Sequence, residues 1–223
     1  MALNTTAVFL GRRTLSKLYL LLHLGRMLQV GGSVRLETIN PSVDERTLYD
    51  YCGLEICEYP TAEALMDGIR QERPNAEYSL VDVPDGMQIE DDGECFLVTD
   101  SDRVSVEHAL EAVRSAGRLS GPFHVHRVFL DICDGSRISV RYLEEMITRK
   151  FPLNAQIGEL FALGADERDR ATMLENQHDD RLRLGTLGSG YRRLLAGLAE
   201  TAFKVDLRES QRRMKQADRR KRA

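Results

Sequence analysis

Lys17 is the residue around which chemistry is easiest to build. It closes the segment Gly11-Arg12-Arg13-Thr14-Leu15-Ser16-Lys17, which joins the apolar run Thr6–Leu10 to the helically spaced run Leu18–Val30. A strand, a glycine, six residues and a helix is the layout of a phosphate-binding loop. In such a loop helix amides face the anion and a lysine reaches the terminal phosphates. Arg12 and Lys17 also have a plain reading as solvated charges, although cations at a helix start oppose the helix dipole. Asp82 is the penultimate residue of the strand-like run Tyr78–Val83 ahead of Pro84-Asp85-Gly86 and could equally cap a turn there. Asp131 and Asp134, like Asp100 and Asp102, fall in turn-like segments where aspartate is common, so no metal is assigned to them. His124 and His126 would share a strand face and could meet one metal; the plainer reading is two polar residues at a strand start.

The elements that must position these groups alternate. Strands are expected at Thr6–Leu10, Ser33–Ile39, Tyr78–Val83, Glu94–Thr99 and His126–Ile132, with a short one at Ala155–Ile157. Helices are expected at Leu18–Val30, Thr61–Gln71, Ser105–Ala116, Ser139–Lys150 and Tyr191–Leu207, and Leu48–Gly53 reads as a helix turn. Several strands are apolar without period-two alternation, the mark of a parallel sheet covered on both faces. Right-handed crossovers then give a doubly wound, mostly parallel α/β domain in which ligands bind beyond the carboxyl ends of the strands. One domain over 1–207 is expected, followed by a basic tail, 208–223.

Composition bounds the function. The chain has 223 residues, 42% of them hydrophobic and 30% charged, which suits a globular protein. The net charge is −4, so a strongly basic nucleic-acid binder is not the default. No stretch approaches the roughly 20 apolar residues of a membrane span, and Arg12-Arg13 follow rather than precede the first apolar run, unlike a signal peptide. Cys52, Cys57, Cys95 and Cys133 form no Cys-x-x-Cys pair and read as reduced, mostly buried thiols of a cytoplasmic protein.

Taken in order, the strand–loop–helix of Val8–Leu28, the second strand ending in Asn40-Pro41, the Asp82-Val83-Pro84 strand end and the Tyr191-Arg192…Leu194-Leu195…Leu198 helix resemble the ParA/MinD-type deviant Walker ATPases. The resemblance runs over about residues 6–205 as an order of elements. It implies a three-layer α/β/α, P-loop NTPase-like fold and a nucleotide site. That family includes relatives that position pili, flagella and secretion machines.

The family loop reads Lys-Gly-Gly-x-Gly-Lys-Thr. Laid onto it, Arg12 takes the place of the signature lysine and Arg13, Thr14 and Ser16 take the places of the three glycines. Lys17 falls on the main lysine and Leu18 on the magnesium-binding threonine. The family's second strand ends Asp-x-Asp-Pro, where this chain has Thr38-Ile39-Asn40-Pro41. Asp82 matches the Walker B carboxylate, and the adenine-contacting asparagine maps near Asp131. Side chains in place of glycines crowd the cradle, at about 1 kcal/mol or more per strained residue. Leu18 has no oxygen for magnesium, and Thr38 is not a carboxylate. The resemblance therefore implies a degenerate nucleotide-binding set of Gly11, Arg12, Arg13, Thr14, Ser16, Lys17, Asp82 and Asp131, with no catalytic residue. ATP or ADP would bind, if at all, without efficient turnover.

The expected role is a scaffold or regulatory partner of a cellular machine, docked onto a second copy or a related ATPase. An active switch with an unorthodox loop is the first alternative. A DNA-associated segregation factor is the second, with the Arg/Lys-rich 208–223 segment touching a polyanion. The charged stretch Asp166–Arg170 reads as a solvated helix or a partner-binding one.

Overall fold

The computed structural model describes residues 5–71, 76–83, 94–116 and 123–219. Eight strands form one sheet in the order β3-β4-β2-β5-β1-β6-β7-β8. They are β1 (Thr5–Leu10), β2 (Val34–Ile39), β3 (Thr47–Tyr51), β4 (Leu54–Tyr59), β5 (Tyr78–Val83), β6 (Glu94–Asp100), β7 (Phe123–Ile132) and β8 (Ala155–Gly164). The helices are α1 (Leu15–Leu28), α2 (Ala62–Gln71), α3 (Arg103–Ala116), α4 (Val140–Thr148), α5 (Glu167–Asp179), α6 (Ser189–Phe203) and α7 (Leu207–Ala217). β2 pairs with β4 and β5 in parallel, as β7 does with β6 and β8; β3 runs antiparallel to β4. This is the mostly parallel, three-layer α/β/α arrangement expected from the strand composition.

The chain divides into two compact units. The first comprises Met1–Ala7, Tyr19–Asp82 and Asp166–Ala223. Its core gathers Leu20, Leu21, Leu24, Leu36, Leu80, Leu195 and Leu198, each at most 1% exposed. The second comprises Val8–Leu18 and Val83–Ala165. There Phe9 stacks on Phe96 at 5.1 Å between centroids, and Phe96 stacks in turn on His126 at 4.9 Å.

The Leu48–Gly53 segment is not a helix turn. It is the end of β3 and the turn of a hairpin, with Tyr51 opposite Leu54 across the two residues Cys52 and Gly53. Both turn residues have positive φ, 57° and 82°, as a type I′ turn requires. The usual Asn-Gly signal is absent because a cysteine holds the first position.

β8 runs well beyond Ile157, to Gly164. Its register against β7 shifts by one residue between Val125↔Ile157 and Arg127↔Leu160, which is a β-bulge at Gly158-Glu159. The bulge's polar groups are met by neighbouring side chains of β7. The Glu159 amide donates to His126 Nδ1 at 2.9 Å, and Arg127 donates to the Gly158 carbonyl at 2.8 Å.

The segment expected to start a tail is helical over Leu207–Ala217, with Ser210, Met214 and Ala217 buried at helical spacing. The expected helix Tyr191–Leu207 stops at Phe203: Lys204 turns into the left-handed region, and the Asp206 side chain then accepts the Glu209 amide to open α7. All four cysteines are free, but only Cys57 is buried; Cys133 is exposed. Among the described residues no helix is long and apolar enough to cross a membrane. The Pro84-Asp85-Gly86 turn lies outside the described residues.

Candidate functional site

The loop after β1 belongs to the second unit, and its first residue explains itself. Gly11 has φ +115°, and a Cβ there would stand 2.1 Å from the Val98 carbonyl oxygen. Only glycine fits such a conformation so close to another strand's backbone.

Lys17 does not point out of the loop. It is 1% exposed, and its ammonium donates to the carbonyls of Gly11 at 2.6 Å and Val83 at 3.2 Å. A buried ammonium needs such acceptors, because an unpaired one is too costly to keep charged. Thr14 is the N-cap of α1. Its hydroxyl oxygen accepts the Lys17 amide at 3.2 Å, and its carbonyl takes the Leu18 amide at 3.0 Å. One of the helix-start amides that could face an anion is thus occupied by the loop's own side chain.

Three carboxylates from the ends of β6 and β7 take up the rest of the loop. The Thr14 hydroxyl hydrogen-bonds Asp100, Ser16 Oγ donates to Asp131 Oδ2, and Arg12 stands 3.9 Å from Asp102. Ser101 Oγ donates to the Asp131 carbonyl at 2.8 Å, and Asp131 sits at φ +53°, a left-handed conformation that aspartate adopts more readily than most side-chain-bearing residues. Burial pushes the Asp100 carboxyl up to about 6; the Thr14 bond works against this, while Asp131 and Asp102 add to it. Its Oδ1 is buried without a hydrogen-bond partner. Asp102 lies below the ordinary range: burial raises it, but bonds from the Ser105 hydroxyl and amide and the Val104 amide outweigh that.

Asp82 belongs to the first unit. Its Oδ2 accepts the Thr38 hydroxyl at 2.9 Å, and both residues are 1% exposed. Asn40 is engaged at both ends, donating to Glu58 at 2.9 Å and accepting the Ser42 amide at 3.0 Å. Of the residues singled out in the sequence, the fold therefore joins Ser16 to Asp131 and Lys17 to the Gly11 carbonyl, and joins Asp82 to Thr38. Arg13 is an exposed side chain. Asp100 and Asp102 are loop partners that the sequence alone places only in a turn. Their signal is two aspartates at the carboxyl end of a buried parallel strand.

His126 and His124 come together with Glu94, with ligand-type atoms within 4.8 Å of one another. The hydrogen bonds decide what the cluster does. His126 Nδ1 accepts the Glu159 amide, so the ring proton of the neutral imidazole is on Nε2, where it is donated to Glu94 at 3.0 Å. A metal at Nε2 would need a proton on Nδ1, facing a backbone amide. The cluster therefore supports the β8 bulge and does not fit a metal. Burial pushes the His126 imidazole down, which keeps it neutral.

Comparison with known proteins supports the same architecture. No family model matches the chain, and no curated protein matches it in sequence. Among solved structures, a ParA family ATPase from Chlorobium tepidum TLS superposes with TM-score 0.61 at 16% identity, over 88% of this chain and 98% of that one. The cell division protein MinD of Aquifex aeolicus superposes at 0.52 and 14% identity, over 96% and 95% of the two chains, and at 0.51 in its MinC:MinD complex. A plasmid partition protein of Borrelia burgdorferi B31 bound to AMPPNP gives 0.55 at 10% identity, over 88% and 97%. The chain thus has the fold of the ParA/MinD-type ATPases. The particular likeness at these identities is one of fold.

Proposed function

We propose that the chain is a catalytically degenerate protein of the ParA/MinD fold, acting as a scaffold or regulatory partner in the positioning or assembly of a cellular machine. The observation that carries this reading is the Lys17 ammonium donating to the Gly11 and Val83 carbonyls. A lysine that neutralises a triphosphate must present its charge to the phosphates.

The other residues of the loop favour the same view. A magnesium nucleotide does not fit the residues present. Leu18 stands where a hydroxyl would hold the metal, side chains stand where glycines would cradle the phosphates, and the Asp100, Asp102 and Asp131 carboxylates lie beside the loop and repel a polyanion. Thr38, in place of a carboxylate, donates its hydroxyl to Asp82. With no turnover, the fold is left to present a surface to a protein partner: a second copy or a related ATPase, in the cytoplasm. A MinD-like structure complexed with another protein supports that mode of use.

Calorimetric titration with ATP and ADP, with and without magnesium, tests the reading. No magnesium-dependent binding at micromolar nucleotide and no phosphate release are expected. Magnesium-dependent micromolar binding abolished by Lys17→Ala would reject it in favour of an active switch.

A further inference from the structure

Between α6 and α7 lies a cavity of about 330 Å³ whose lining includes Arg192, Arg193, Lys215, Leu207 and Met214. The pairing of charges around it is uneven. Arg212 and Arg213 of the same helix α7 both bond to Glu209, each at 2.8 Å. Among the described residues, no side-chain hydrogen bond or ion pair is made by Arg193 or Lys215, and the Arg192 side chain has the electrostatic attraction of Asp169.

Asp218 also lines the cavity, but both of its carboxylate oxygens are engaged. Oδ1 accepts the Leu184 amide at 2.8 Å and Oδ2 the Gly185 amide at 2.6 Å. Three cationic residues thus line a concavity whose single carboxylate is occupied by backbone. Leu207, 46% exposed, and Met214 supply an apolar wall.

We infer that this cavity is a binding site for a small organic phosphate, with the phosphate on Arg192, Arg193 and Lys215 and an apolar body against Leu207 and Met214. Arginine and lysine around a concave site are the usual means of holding a phosphate dianion. The volume suits a small molecule, whereas a nucleic-acid backbone needs a long track of cations. The inference is independent of the proposed function. Binding here needs no magnesium and depends on Arg193 and Lys215, whereas nucleotide in the loop after β1 would depend on Lys17.

Phenyl phosphate is the probe, titrated calorimetrically without magnesium into the full chain. Saturable binding is expected, weakened at least tenfold in the double variant Arg193→Gln/Lys215→Gln. The control is Arg208→Gln/Arg219→Gln, which removes two exposed cations outside the cavity lining and should change affinity less than twofold. The exposed, unpaired positions make unfolding a minor concern, and a urea midpoint on each variant checks it. Absence of saturable binding, or equal weakening in both double variants, overturns the inference. Sedimentation with phosphatidic-acid vesicles in the absence of phenyl phosphate binding overturns it too, in favour of a lipid headgroup.

Discussion

Asp100→Asn is the sharpest probe of the loop. Burial lifts the folded-state pKa of this carboxyl from the ordinary 3.8 to about 6. At about 1.36 kcal/mol per pKa unit, keeping it ionised in the fold costs on the order of 3 kcal/mol. Part of the side chain remains accessible, which lowers the expectation to about 2 kcal/mol. The sign follows from a folded pKa above the unfolded one. The cost is fully present above about pH 6, shrinks as the pH falls through the folded value, and vanishes below about 3.8, where both states are protonated. Asparagine keeps a carbonyl for the Thr14 hydroxyl and removes the charge that Asp131 and Asp102 oppose. Urea unfolding at pH 8, 6 and 4 should show the variant more stable by about 2 kcal/mol, by less, and by nearly nothing, in that order. A variant no more stable than the parent at pH 8, or a difference independent of pH, would refute the account of a strained acidic cluster at this loop.

Gly11→Ala should destabilise the fold by about 3 kcal/mol or more, since its Cβ would meet the Val98 carbonyl oxygen at a backbone angle alanine rarely adopts; a thermal melt within a few degrees of the parent contradicts this. His23 is fully buried, with Nδ1 facing the Tyr191 hydroxyl and Nε2 facing the Asn176 amide, each at 3.1 Å, and burial pushes its pKa down to about 3. The unfolded chain binds this proton near pH 6.5 and the fold does not, so His23 alone removes about 1.4 kcal/mol per pH unit between those values. His23→Gln should flatten the slope of unfolding free energy against pH over that window; an unchanged slope argues against a neutral buried imidazole.

The parallel strands were legible because they are buried on both faces and therefore read as apolar runs without period-two alternation: VFL in β1, LV in β5, FLV in β6 and VFL in β7, with Asp82 and Asp131 following at the strand ends of β5 and β7. The β3–β4 hairpin was not. Thr47–Asp50 is exposed on both faces, so it carries no hydrophobic pattern, and its turn uses Cys-Gly in place of Asn-Gly. β8 was cut short because its apolar residues do not alternate across the bulge. The strand–loop–helix junction at Gly11–Lys17 was visible from local order alone. The partners of that loop were not: Ser16 and Asp131 lie 115 residues apart, and nothing local says that β6 and β7 deliver their carboxylates to β1. That Thr14 would cap α1 was equally hidden, because the helix was expected to begin at Leu18 and begins at Leu15.

The bulge at Gly158-Glu159 also fixes alignment. Sliding β8 by one position against β7, or deleting a residue from the kink, would leave the imidazole of His126 and the guanidinium of Arg127 facing mismatched backbone. His126 is 3% exposed and Arg127 6%. His126 would keep Glu94 and Arg127 would keep Glu144, but each would lose its backbone partner on β8, at about 1 kcal/mol per lost hydrogen bond. The extra residue thus acts as a peg against slippage in an edge strand whose exposed and half-buried side chains would otherwise resist misthreading little.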